Sequence, residues 1–326
     1  MTIQSKEELF ACPECKSRLH FGDNKINCLK CNIFFTYKDG IYHFLPFTLD
    51  DYDQEQRAVF DKISSGYDMY LNAQPFYTLI RDNYVYPFWF KDDFHNKTAL
   101  DIGCGTGWAS AKALSMVKLL VNLDISLGNL TYAQQRLKAH HSLFVQSDMK
   151  QLPFSDNSFD IVTCFWALHH IKDIRIVVEE IKRILRKDGV FLGIEPNPKY
   201  SWVEYWSDTM RFPNRLRDKV LQLHRRTQIH SQKHLIKEES YMQGIHMKYD
   251  HHAGMMNVKE YKSIFEKKGF KFVFQPVGLE MLPPRMIMSK NKKLVKILLD
   301  ISDKRLRLAY YREKAYFNII RAQKER

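Results

Sequence analysis

The middle of the chain alternates short apolar strings with longer stretches whose apolar residues recur at helical spacing. This is the rhythm of a sheet built with crossover helices. Lys97-Thr98-Ala99-Leu100-Asp101-Ile102 is an apolar string with an acid near its end, followed by Gly103-Cys104-Gly105-Thr106-Gly107 and a helix over 108–114. Leu119–Ser126 repeats the string with Asp124 near its tip, and a helix over 127–139 follows. Further strands are expected at 143–146, 161–165 and 190–195, with a helix over 173–186 before the last. Beyond them the pattern predicts a helix at 258–268, closing strands at 270–275 and 285–288, and one or two amphipathic helices across 290–326. Strand, glycine loop, helix is the opening of a doubly wound α/β sheet.

The first 46 residues have a different texture. Leu19–Asn27 reads as strand, Gly-Asp-Asn turn, strand, and Asn32–Pro46 as strand, Asp-Gly turn, strand. A core this small needs a staple. Cys12-Pro-Glu-Cys15 and Cys28-Leu-Lys-Cys31, twelve residues apart, supply one. Paired C-x2-C motifs are the strong form of a zinc signal, because each pair turns both sulfurs toward one ion. Four thiolates close the shell, so the expected role is structural. His20 and His43 are then spare. Nothing in the first ten residues has a signal-peptide pattern, which argues against disulfides and for a cytoplasmic chain. The polar stretch 47–57 reads as a linker.

The glycine loop has the form D-x-G-x-G-x-G, with its acid before the glycines. A carboxylate there suits a ligand presenting an amine rather than a pyrophosphate, which points to S-adenosylmethionine. Asp124, at the tip of the second strand, is placed to accept from ribose hydroxyls. LDIGCGTG (100–107), LDIS (123–126), SDMKQLPFSDNSFDIVTC (147–164), ALHHI (167–171) and EEIKRILRKDGVFLGIEP (179–196) together resemble the class I methyltransferases, most closely the ubiquinone and menaquinone biosynthesis branch. The ribbon over 9–46 resembles the small zinc module that precedes rRNA guanine methyltransferases. The resemblance implies a Rossmann-like, seven-stranded α/β sheet. It implies that Asp101, Gly103, Cys104, Gly105 and Gly107 surround the methionine end. Asp124 would hold the ribose, and Asp148 and Met149 would read the adenine, with Ile125 packing on it. Phe165 and the residues to His169 would approach the methyl-transfer centre. Tyr67 would lie across the cofactor on a preceding helix. His169 and Tyr67 are the candidate catalytic groups. Tyr67 reads equally as a half-buried helix aromatic, and Cys104 as a small buried residue.

Composition bounds the rest. The chain has 326 residues, 45% of them hydrophobic and 13% aromatic, with no apolar run near the length that spans a bilayer. Net charge is −2 over residues 1–60, +1 over 61–200 and +14 over 201–326, so the basic excess lies in the last third. The expected organisation is a zinc ribbon at 1–46, a linker at 47–57, a methyltransferase domain at 58–289 and a basic amphipathic helix at 290–326. Residues 197–257 form an expected helical cap that carries Trp202, Tyr205, Trp206 and Phe212 beside Arg211, Arg215 and Arg217. Aromatics with arginines suit either a large apolar acceptor bearing an anionic group or unstacked bases. The third- and fourth-strand motifs resemble the metabolite branch, with Phe165-Trp166-Ala167-Leu168 where amino-group-modifying nucleic-acid enzymes often have Asn-Pro-Pro-Tyr, so the preferred partner is a small or lipid-like acceptor. The other reading is RNA methylation, with ribbon and basic tail on the nucleic acid. The tail could also touch an anionic membrane. A cofactor-binding partner subunit without activity is a third reading, opposed by the intact acids and glycines.

Overall fold

The protein was analysed as a computed structural model, which describes residues 8–45, 49–73, 75–90, 94–137, 142–197, 256–278, 291–307, 315 and 317–325. The cap at 198–255 and the strand expected at 285–288 lie outside these residues.

The strands are β1 (His20–Phe21), β2 (Lys25–Cys28), β3 (Ile33–Lys38), β4 (Ile41–His43), β5 (Thr98–Ile102), β6 (Leu119–Asp124), β7 (Ser142–Gln146), β8 (Phe159–Phe165), β9 (Leu185–Pro196), β10 (Phe270–Val277) and β11 (Phe317–Lys324). The helices are α1 (Asp51–Ala73), α2 (Pro75–Ile80), α3 (Tyr86–Trp89), α4 (Leu127–Arg136), α5 (Ile174–Ile184), α6 (Val258–Lys267) and α7 (Lys292–Leu306). All eleven strands join in one sheet, in the order β1-β2-β3-β4-β7-β6-β5-β8-β9-β11-β10. From β4 to β9 neighbours run parallel, and β11 runs antiparallel between β9 and β10. The strand order reverses at β5 and β8, where open α/β sheets bind their ligands.

Apolar residues on successive strand positions face opposite layers. Leu100, Val121, Val162 and Phe191 enter one core with α5 and α6. Ala99, Leu120, Ile161 and Leu192 enter the other, with α2, α4 and α7. Helix α5 buries Ile174, Val177, Val178, Ile181 and Ile184, a stripe at helical spacing, and Asp173 caps its first turn by accepting from Arg175 N.

Three expectations change. The ribbon is not a detached domain. Strand β4 pairs in parallel with β7, so among the described residues the ribbon strands continue the sheet where a separate ribbon beside a seven-stranded sheet was expected. Residues 51–57 are not linker but the start of α1. Asp50 Oδ1 accepts from Asp53 N at 2.9 Å, and Asp51 and Asp53 in the first turn suit the positive end of the helix. The tail is not wholly helical. Beyond α7 it returns as β11, paired with both β9 and β10. Phe317 and Ile319 enter one core and Ile320 and Ala322 the other, so its apolar positions show no clean alternation and are readable with either period.

The expected helix at 108–114 is only a 3-10 turn at Ser110–Ser115. The Trp108 and Ala109 carbonyls accept instead from Arg81 Nη1 (3.4 Å) and Tyr86 Oη (2.8 Å). No described helix is long and apolar enough to cross a membrane.

Candidate active site

The glycine loop leaves β5 through three residues in the left-handed region: Gly103 (φ 65°), Gly105 (φ 53°) and Gly107 (φ 74°). A Cβ at Gly103 would lie 2.5 Å from Ala167 Cβ, and one at Gly107 would lie 2.9 Å from Leu137 Cδ1. One at Gly105 would meet nothing within 4 Å. Two glycines are thus needed for packing, and Gly105 fronts open space. The Ala167 contact sets the loop after β8 directly against the glycine loop.

Asp124 and Asp101 differ in their duties. Asp124 accepts from Gly105 N (2.8 Å) and Ser126 N (2.9 Å), and burial pushes its carboxyl up to about 6. Asp101 is 2% exposed and accepts from Ser110 Oγ and from Thr163 Oγ1 at 2.8 Å. Burial also pushes Asp101 up to about 6. Asp101 thereby ties the segment after the glycine loop to β8. Cys104 is buried, and burial raises its thiol well above the usual range. That agrees with a packing role.

Beyond β7, Asp148 accepts from Lys150 N at 2.8 Å, and burial raises its carboxyl. Lys150 Nζ contacts Asp148 (3.5 Å), Asp50 (3.3 Å) and Asp53. Met149 lies beside Gly103, and Ile125 is half-buried. The expected adenine-side residues thus stand around the ends of β6 and β7.

Helix α1 spans these loops. Its Asp61 accepts from Ser126 Oγ (2.6 Å) and Gly128 N (2.9 Å), and Asn72 Oδ1 accepts from Trp108 Nε1 (2.9 Å). Phe60 meets His170 edge-on at 5.3 Å. Tyr67 falls on this helix, and its side chain lies outside the described residues.

His169 is 4% exposed, with Nδ1 2.7 Å from Glu195 Oε2. Glu195 is fully buried and also accepts from the backbone N–H of Ala167, Leu168 and His169 at 3.3, 2.9 and 3.3 Å. Burial pushes its carboxyl up to about 7. The pair clamps the turn after β8, and the candidate catalytic residue His169 is buried there with its Nδ1 on Glu195.

Sequence reading passed over an aromatic cluster here. Trp166 adopts φ 56°, a strained conformation for a bulky residue. Its ring lies 5.1 Å from Tyr77, 5.0 Å from Phe317, 4.3 Å from Phe165 and 6.3 Å from Trp108. The Arg81 guanidinium sits 4.1 Å over Trp108. These rings come from four distant segments, and only the Phe165-Trp166 pair was adjacent in sequence.

At the other end of the sheet, the sulfurs of Cys12, Cys15, Cys28 and Cys31 all lie within 4.8 Å of one another. Cys15 and Cys28 are 3.6 Å apart and Cys12 and Cys31 4.0 Å, close to the roughly 3.8 Å sulfur separation of a tetrahedron with 2.3 Å zinc–sulfur bonds. None is in a disulfide.

A glycine loop, an acid at the tip of the next strand and a helix laid across the strand ends together define an α/β domain with a nucleoside-type cofactor cleft. The methyltransferase-domain family profile matches residues 100–193, from β5 into β9. It is 35% identical over 99 residues to the uncharacterized methyltransferase YcgJ of Bacillus subtilis (strain 168), covering 29% of this chain and 39% of that protein. It is 30% identical over 155 residues to a demethylmenaquinone methyltransferase of Geobacillus stearothermophilus, covering 44% of this chain and 63% of the relative. The chain therefore spans less than two thirds of these relatives' lengths. Among solved structures, a complex containing the Haloferax volcanii Trm112 methyltransferase activator aligns with a TM-score of 0.50 at 15% identity, over 82% of this chain and 98% of the matched chain. That likeness concerns the fold.

Proposed function

We propose that the protein transfers a methyl group from S-adenosylmethionine to a small, largely apolar, lipid-like acceptor, and that its four cysteines hold one structural zinc. The observation that carries the acceptor class is the aromatic cluster of Tyr77, Trp108, Phe165, Trp166 and Phe317 beside the glycine loop. Such rings give a flat apolar group a stacking surface with little polar competition. The demethylmenaquinone relatives support the same class.

The donor supplies a methyl on a sulfonium whose departure leaves a neutral thioether. The chain's part is then placement. Asp124, ionised, would accept from the ribose hydroxyls in exchange for its bonds to Gly105 and Ser126. Asp148 and Met149 would flank the adenine, and Gly105 would leave room for the donor's chain. Helix α1, bearing Tyr67, would exclude water from above. Trp166 and its neighbours would hold the acceptor. His169 and Glu195 would keep the loop at Ala167 in register with Gly103.

The test is transfer of radiolabelled methyl from S-adenosylmethionine by purified protein into lipid and RNA extracts of cells lacking the gene. Label in a chloroform-soluble product is the expected result. Label confined to RNA would replace this reading with nucleic-acid methylation, to which the +14 charge of residues 201–326 is suited.

A further inference from the structure

The zinc module and the cleft meet through one stretch of backbone. Strand β4 pairs with β7 in the register Ile41↔Phe144, Tyr42↔Val145, His43↔Gln146, and Phe44 N donates to Gln146 O at 2.8 Å. Gln146 immediately precedes Ser147-Asp148-Met149. Its side chain forms a bridge: Nε2 donates to Ile125 O at 3.2 Å, leaving Oε1 to accept from His43 Nδ1 at 2.8 Å. His43 thereby links the ribbon to the backbone on both sides of the expected adenine position.

The far side of the same loop is also held. Ala11 N donates to Pro153 O (3.1 Å), and Ser155 N donates to Leu9 O (2.9 Å). The Phe10 ring packs on Phe154 at 5.6 Å, on Tyr42 at 4.8 Å and on Phe44 at 5.2 Å. Lys16, one residue past Cys15, reaches Glu180 (2.8 Å) and Leu152 O (3.3 Å). Both flanks of residues 147–149 therefore rest on a module too small to hold itself without its metal.

We propose that the ribbon is the outer wall of the adenine subsite: zinc at the four cysteines sets cofactor affinity, and His43 is a positioning residue acting through Gln146. This rests on the methyltransferase reading above. His43 touches no cofactor atom in this scheme. It fixes the amide of Gln146, which fixes Ile125 and the strand leading into Asp148.

The experiment measures binding of S-adenosylhomocysteine and of methylthioadenosine, which lacks the amino-acid end, by calorimetry. Zinc-loaded full-length protein is compared with protein stripped by chelation, with metal content and thermal unfolding recorded for each. Stripping is expected to raise both dissociation constants tenfold or more. Because the stripped protein can fail to fold, His43→Ala with zinc retained is the deciding variant. It should weaken both ligands by the same factor, about three- to tenfold for one lost hydrogen bond, at unchanged zinc content. His43→Asn, which keeps a donor near Nδ1, should recover most of the loss. Unchanged affinity in folded, stripped protein, or in His43→Ala, would overturn the proposal. Failure of the zinc-loaded protein to bind either ligand would instead overturn the methyltransferase reading itself.

Discussion

At the residue scale, two buried carboxylates make opposite commitments. Asp124 must be ionised to accept two ribose hydroxyls, yet burial has pushed it up to about 6. Binding of S-adenosylhomocysteine should therefore weaken as pH falls through about 6. Asp124→Ala should weaken it at every pH, by roughly tenfold or more for two bonds of about 0.5–1.5 kcal/mol each. A titration calorimetry series from pH 5 to 8 checks both. Glu195, raised from an ordinary 4.5 to about 7, favours its protonated form in the fold. Its contribution to stability is full below pH 4.5 and is lost as pH rises through about 7. Glu195→Gln removes one acceptor from a turn with three inward N–H groups, and should flatten that pH dependence in thermal unfolding while lowering Tm. His169→Asn, which keeps a donor toward Glu195, should retain most methyl transfer. Loss of more than a hundredfold in kcat with folding intact would restore His169 as a base.

At the element scale, α1 ties three loops together. It is pinned at its start by Lys150 to Asp53, in its middle by Asp61 to Ser126 and Gly128, and at its end by Asn72 to Trp108. These loops follow β7, β6 and β5, so one helix reads the state of three strand ends. Among its described residues Leu71 joins a core cluster, and the polar contacts above carry much of its attachment to the sheet. Asp61→Ala should lower the opening free energy of residues 51–73 by about 1 kcal/mol, read as faster amide hydrogen exchange there with β5–β9 unchanged.

At the scale of the whole molecule, the C-terminal residues belong to the sheet. Strand β11 pairs with β9 along Phe317–Gln323 and with β10 along Phe317–Lys324. Helix α7 buries Val295, Leu298 and Leu299 against the same core as Phe76 and Ile319. Truncation at Lys290 removes both, leaving β9 and β10 without their shared neighbour. The truncated chain should be insoluble or lack a cooperative thermal transition, whatever its substrate. A soluble, cooperatively unfolding product would mean that β11 is dispensable.

What was legible in the sequence was local. Cys12, Cys15, Cys28 and Cys31 announced a four-sulfur cluster because two residues of spacing constrain two sulfurs. The glycines after Asp101 announced a turn because only glycine tolerates a left-handed backbone there cheaply. The parallel strands showed as apolar runs because both their faces are covered. The class of cofactor followed from these short-range rules. What only the tertiary structure decided depends on partners far apart in the chain. The tail's second half became a strand because a gap between β9 and β10 was there to fill, and its apolar positions, interrupted by Asn318 and Arg321, mark neither period cleanly. The ribbon became part of the sheet because β4 found the open edge of β7, and an unpaired edge carries no sequence mark. Asp101 turned inward because Ser110 and Thr163 offered hydroxyls from a loop and a neighbouring strand. The aromatic cluster around Trp166 arose where four segments converge, and spacing along a chain does not record convergence in space.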